Sequence, residues 1–247
     1  MEKTDLSLAE VFLDYFDIDL AATPRQLEAV ERVRYRVYCQ EFGYESAAAF
    51  PSMRERDEYD GHALHCLITH RRSGRPAGCV RVICGSEDQN LPLEDHCREA
   101  LHLQYHCQLA EDRHQICEVS RLAVDNAFRK RLGEHHTRLG EFDALDCTHL
   151  ERRTFSLIGI AALLSAFAVA ELTGRNQIYA MMERNLARLI RRSGMDVHQA
   201  GDSTNYHGQR TPYFAHGDRV VASVPDDLAA LYTSLLQQLS IDLCEQR

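Results

Sequence analysis

The alternation of apolar and polar positions divides the chain into a readable order of elements. Phe16 to Ala21 alternates with the period of a short strand. Thr23-Pro24 then starts a helix with an N-cap residue and a first-turn proline, running to Gly43. Two β-rich runs, HALHCLITH and RPAGCVRVIC, flank the polar turn Arg72-Ser73-Gly74-Arg75 and predict a hairpin. Residues 85–114 are polar and weakly patterned, an irregular or partly helical insertion. ICEVSRLAV predicts a third strand of the main sheet from Ile116 to Val124. Ser156 to Ala170 carries no charge, and Gly174 stops the helix it predicts. At fifteen residues it is shorter than the roughly 20 that a membrane span needs, so it predicts a helix buried against a sheet, with no transmembrane segment. QIYAMM is a buried strand, ERNLARLIRRSG a helix ending at Gly194, and short β segments come next near 196–200 and 211–216. Leucines 228, 231, 235, 236, 239 and 243 line one side of a C-terminal helix.

The order β-α-β-β-(insert)-β-α-β-α-β-β-α predicts an α/β protein, a central mixed sheet with helices on both faces. No repeat, low-complexity tract or linker interrupts it. One domain over 1–247, with an insertion at about 85–114 and a terminal helix, is the expected organisation.

Composition narrows the function classes. With 28 Lys and Arg against 37 Asp and Glu, the formal charge is −9, which disfavours nucleic acid as a partner. The nine cysteines form no C-x-x-C pair, a pattern of reduced thiols that predicts a cytoplasmic protein. No export-signal pattern opens the chain. His102 and His106 have the i, i+4 spacing of metal ligands, yet the Cys/His spacings of the insertion match no recurrent zinc pattern, so no metal is expected.

Charged residues cluster in four blocks: Arg34 and Tyr38 in VRYRVYCQEFGYE, Asp57 and Asp60 in RERDEYDG, Arg81 in GCVRV, and Glu118, Ser120 and Arg121 in EVSRLAV. Acylating an amine requires a base, because a free α-amino group is mostly protonated at neutral pH. Glu118 on a central strand suits that role, directly or through a water; an ion pair with Arg121 or Arg81 is the competing reading. Asp57 and Asp60, three apart, are spaced to meet Arg34 or Arg81 and to hold a substrate ammonium, a lid loop or a salt-bridge network. Arg34 and Arg81 suit a bidentate grip on a carboxylate, whereas Arg36 reads as a solvated helix residue.

These blocks resemble the four signatures of acyl-homoserine-lactone (autoinducer) synthases, with Tyr44 standing where that family has a tryptophan. Over most of its length, including LARLIRRSG and YHGQRTPYFA, the chain is similar to acyltransferases of the PEP-CTERM/exosortase system and to N-acyl amino acid synthases. The resemblance implies a GNAT-like acyl-CoA N-acyltransferase fold, with Glu118, Ser120 and Arg121 catalytic. It also implies an amine-binding set of Arg34, Tyr38, Asp57, Asp60, Arg81 and His207. Tyr44, and the absence of tryptophan from the chain, favour the N-acyl amino acid branch.

In GNAT enzymes that use CoA, the central strand leads into a glycine-rich loop that binds pyrophosphate. Here Asn126 to His135 lacks that spacing. The expected donor is therefore an acyl-phosphopantetheine on an acyl carrier protein, ahead of acyl-CoA, with no permanently bound cofactor. Leu122, Ala123 and Val124 would hold the pantetheine arm and thioester oxygen by their backbone. Arg129 and Arg131, with the basic runs at 152–153 and 188–192, would face the acidic carrier.

Overall fold

The computed structural model describes residues 8–129 and 147–245. The elements are α1 (Leu8–Tyr15), β1 (Phe16–Leu20), α2 (Pro24–Arg34), β2 (Ala63–His70), β3 (Arg75–Cys84), α3 (Pro92–Cys97), α4 (Leu103–Glu111), β4 (Ile116–Val124), α5 (His149–Thr154), α6 (Ile158–Leu172), β5 (Gln177–Met182), α7 (Arg184–Arg192), β6 (His198–Gln199), β7 (Thr204–Asn205), β8 (Gln209–His216), α8 (Gly217–Ser223) and α9 (Asp226–Glu245). The predicted order holds. Four short elements escaped it: α1, α5, β7 and α8 are each eight residues or fewer, too short for a full hydrophobic period to show.

The sheet runs β1-β2-β3-β4-β5-β8-β6. Strands β1 to β4 form an antiparallel meander, and β4 pairs with β5 in parallel over only Ile116–Glu118 against Gln177–Tyr179. Beyond Glu118 the ladder between them ends, although β4 continues to Val124, so the sheet opens there.

Strand alternation sorts the side chains into two faces. Val80 and Val82 of β3, with Cys117 and Val119 of β4, enter the main core against α6. Helix α6 is buried all round because the sheet covers one side and α9 packs on another. The helical stretch Leu150–Leu172 is apolar and long enough to cross a membrane, but two thirds of its apolar window is buried inside this fold. Leu231, Leu235 and Leu239 of α9 complete that core as the leucine spacing predicts.

On the opposite face, Cys79 and Ala123 pack with Val30, Val33 and Val37 under α2. Further along, Ile83 and Ile116 pack with Leu91, Leu93 and Leu109 of the insertion. Between these two clusters lie Arg81 and Glu118, on the same face by alternation. Two lids of apolar packing thus flank one polar gap.

Candidate active site

Helix α2 is closed at its start by a reciprocal cap, in which Thr23 Oγ1 accepts from Gln26 N and Gln26 Oε1 accepts from Thr23 N. Its end widens into a π-helical stretch, Tyr35–Glu41, a form found often at functional sites. Arg34 and Tyr38, four residues apart, project from one side toward the sheet. The Tyr38 hydroxyl donates to the Leu122 carbonyl at 2.9 Å.

The Asp57/Asp60 spacing has a local cause as well. Asp57 caps the 3-10 turn Glu58–His62 by accepting from Tyr59 N at 3.1 Å, and Asp60 Oδ2 accepts from Asp57 N at 2.9 Å. The two carboxylates also face three guanidiniums. Arg34 donates to Glu55 and, at 2.7 Å, to Asp60. Arg81 donates to Asp57 and to Asp60 Oδ1 at 2.7 Å, and through Nε to Ser120 Oγ at 3.0 Å. Arg121 reaches Glu55 at 3.1 Å, Asp57 Oδ2 at 3.0 Å and Glu45 at 3.4 Å. Three cations therefore meet four carboxylates in one buried network.

Burial alone would raise the Asp60 carboxyl, but the guanidinium of Arg34 and then that of Arg81 hold it well below the ordinary carboxylate range. For Arg34, burial opposes the charge and Glu55 overcomes it, so the guanidinium stays cationic. His65 lies beside this network with Nε2 3.8 Å from Asp60, and burial pushes it down to about 4, so it is neutral at pH 7.

Arg121 enters this network through a break in the strand pattern. Glu118 and Ser120 point to the site face, and regular alternation would send Arg121 to the α6 core. The β3–β4 register instead shifts between Cys79 and Arg81, and Arg121 adopts a left-handed φ of 52°. A bulge of this kind re-aims a side chain. Arg121 then lies over the Tyr38 ring, 5.5 Å from its centroid.

Glu118 stands apart from the ion pairs. It is 2% exposed, and Oε2 accepts from Leu93 N at 2.8 Å. Among the described residues it forms no salt bridge, which removes the reading of Glu118 as a partner of Arg81 or Arg121. Burial raises its carboxyl to about 7, against a lowering by the Leu93 N–H and by the two arginines. A carboxyl poised near neutral pH can both take and return a proton.

A cavity of about 30 Å³ opens between Glu118, Arg81, Ser120, Arg121, Tyr38 and Met181 on the sheet side and Pro92, Tyr206, His207 and Arg210 opposite. It has room for about two waters. Alongside lies an open groove of about 670 Å³, lined by Tyr44, Glu183, Arg184, Asn185, Ser203, Gly208 and Gln209. The Tyr44 hydroxyl donates to Glu183 at 2.6 Å, and His207 Nδ1 lies 3.3 Å from both the Tyr44 carbonyl and Glu45.

The structure brings together most of the residues singled out in the sequence and separates a few. Glu118, Ser120, Arg121, Arg81, Tyr38 and His207 line the cavity, and Asp57 and Asp60 hold its arginines. Arg34 is fully buried and lies behind them, where it supports the network and does not reach the cavity. Leu122, Ala123 and Val124 lie on β4 past the end of its pairing with β5. Arg129 donates to the Val124 carbonyl at 2.8 Å and pairs with Glu41, so its charge is already engaged; Arg131 lies outside the described residues. Arg36 is not simply solvated, since it pairs with Asp125 at 2.6 Å. His106 accepts from Arg98, and His102, one turn before it at the start of α4, lies 3.7 Å from Asp202, so the two rings have separate partners. His70, Cys147 and Glu151 do converge, but His70 is held by Ser73 and Glu151, and Glu151 caps α5 by accepting from Thr148 N.

Glu55 was missed. It is 1% exposed and bridges Arg34 and Arg121, yet in the run RERDEYD it looks like any solvated acid. Arg210, Tyr206 and Pro92 also escaped individual notice.

A mixed sheet with helices on both faces that opens where the β4–β5 ladder ends is a GNAT-like acyltransferase fold. Residues 33–138 match the family model described as an acetyltransferase (GNAT) domain. Among solved structures, the AHL synthase LasI aligns at TM-score 0.58 and 15% identity, covering 85% of this chain and 93% of LasI. FeeM, an N-acyl amino acid synthase from uncultured soil microbes, aligns at 0.54 and 14%, covering 87% and 97%. BjaI, a CoA-dependent acyl-homoserine lactone synthase with SAM and isopentyl-CoA, aligns at 0.55 and 15%, covering 90% and 89%. No curated protein sequence matches the chain.

Proposed function

We propose that this enzyme is an N-acyltransferase that moves a fatty acyl group from acyl carrier protein to the amine of an amino acid, giving an N-acyl amino acid. The observation that carries the reading is Glu118, a buried carboxyl near pKa 7 at the opening between β4 and β5. Glu118 takes a proton from the ammonium, directly or through one of the waters the cavity admits. The free amine attacks the thioester carbonyl carbon, forming the C–N bond. The oxyanion is met by backbone N–H groups on the unpaired edge of β4 near Leu122 to Val124. Collapse breaks the C–S bond, and the thiolate leaves, taking up the proton that the newly acylated nitrogen gives up.

The carrier-protein donor is supported by the turn at the end of β4. The stretch it opens, Asn126 to His135, lacks the glycine-rich spacing with which backbone N–H groups cradle a pyrophosphate. A fatty acyl carrier protein and reduced cysteines suit a cytoplasmic setting. The likeness in fold to LasI and BjaI favours one further reading, a homoserine-lactone product, and Tyr44 in place of tryptophan weighs against it.

The test is mass spectrometry of reactions containing the purified protein, an acyl-carrier-protein or acyl-CoA donor, and amino acids or S-adenosylmethionine. The expected product is an N-acyl amino acid, formed at least about tenfold faster from the carrier protein, with Glu118→Gln slowing it by about 100-fold or more. No amide from any donor, or an unimpaired Glu118→Gln, would sink the acyltransfer reading. Equal use of CoA would sink the donor, and a lactone product the acceptor.

A further inference from the structure

We infer that Arg210 is the residue that recognises the acceptor, by binding its carboxylate while the amine meets Glu118. This rests on the acyl transfer proposed above and adds the residue that selects an acceptor carrying a free carboxylate.

Three guanidiniums line the cavity, those of Arg81, Arg121 and Arg210. The first two, with Arg34 behind them, belong to the network in which Glu45, Glu55, Asp57 and Asp60 outnumber the cations. That network has no surplus positive charge to offer an incoming anion. Arg210 is different. Among the described residues it has no carboxylate partner; its Nε donates to the His207 carbonyl at 3.2 Å, and its guanidinium lies 5.1 Å from the centroid of the Tyr44 ring.

Its position is built rather than incidental. Thr204 and Asn205 pair with Arg210 and Gln209, enclosing a three-residue turn at Tyr206-His207-Gly208. His207 and Gly208 take left-handed φ values of 50° and 94°, a geometry that such tight hairpins require. Pinned by the His207 carbonyl and by Tyr44, the guanidinium is held against the cavity wall opposite β4, with the four N–H groups of Nη1 and Nη2 left to grip a carboxylate. Glu118 on the other wall sets the place of the amine. An α-amino acid carries charges complementary to this pair of groups, whereas an amine without a carboxylate leaves Arg210 without an anionic partner.

The measurement compares N-acylation, under one acyl donor, of a mixture of free amino acids with that of the corresponding amino acid amides, for wild type, Arg210→Gln and Arg210→Lys. Circular dichroism checks that each variant is folded. The wild type is expected to acylate the acids at least about tenfold better than the amides. Arg210→Gln is expected to lose about 10- to 100-fold in kcat/KM for the acids, through KM, and to change less than about threefold for the amides. Arg210→Lys keeps part of the preference. If the wild type takes amides as well as acids, or if Arg210→Gln lowers both alike, the assignment of Arg210 is wrong while acyl transfer stands. If no amine of either kind is acylated, the acyl-transfer reading itself has failed and takes this one with it.

Discussion

Replacing Glu118 by glutamine should make the protein less active and, above neutral pH, more stable. In the unfolded chain the Glu118 carboxyl ionises near its ordinary value of 4.5, and in the folded protein burial holds it protonated up to about 7. Below pH 4.5 both states carry the proton and the group has no effect on stability. Between 4.5 and about 7 the unfolded state releases a proton that the folded state retains, so stability falls as pH rises, by about 1.36 kcal/mol per pH unit. Above about 7 the loss is complete, at about 3 kcal/mol. Glutamine keeps an oxygen for the Leu93 N–H, which now donates to Glu118 Oε2, and never ionises. The difference in unfolding free energy between Glu118→Gln and wild type should therefore increase by about 3 kcal/mol in favour of the variant between pH 4.5 and pH 8. Urea denaturation at four or five pH values measures it. The same carboxylate, as base, should give wild-type kcat/KM a rise with pH through about 7 that the variant lacks. A stability difference that stays flat across this range would refute the reasoning, because it would mean that Glu118 ionises in the folded state as it does in water.

The rest of the structure makes further predictions. Asp60→Asn removes a carboxylate shared by buried Arg34 and Arg81, and should cost about 3 kcal/mol in urea denaturation; a loss under about 1 kcal/mol would show the network to be redundant. Gly201→Ala would place a Cβ 2.0 Å from the Ala100 carbonyl oxygen, and thermal unfolding should show about 2 kcal/mol or more of destabilisation from the forced shift. All nine cysteines are free. Exposed Cys107 and Cys244 should react at once with a thiol reagent, while Cys79, fully buried and pushed up to about 12, should react only on unfolding; peptide mapping of the labelled sites separates the two groups.

Much of this was legible along the chain because it is local. The helix beginning at Thr23-Pro24, the hairpin turn at 72–75, the uncharged run that became α6 and the leucine stripe of α9 each arise from a period or a cap written within a few residues. The Asp57/Asp60 pair also has a local cause, since the two carboxylates cap one 3-10 turn. Glu118 stood out for the same reason, as an acid on an otherwise β-rich central strand. What stayed hidden depends on contacts between distant segments. Glu55 became a buried bridge only because Arg34 and Arg121, 21 and 66 residues away, converge on it. Arg121 turned to the site face only through a bulge that shifts β3 against β4. Arg210 differs from Arg81 and Arg121 in a single respect, that no carboxylate among the described residues pairs with it, and no window of sequence contains that fact. Periodicity and capping are set by neighbours in the chain, so the sequence alone determined the longer elements and their order. Which charges are neutralised, which are left to meet a substrate, and how far burial moves a carboxyl depend on desolvation and on neighbours in space, and these were decided by the tertiary structure.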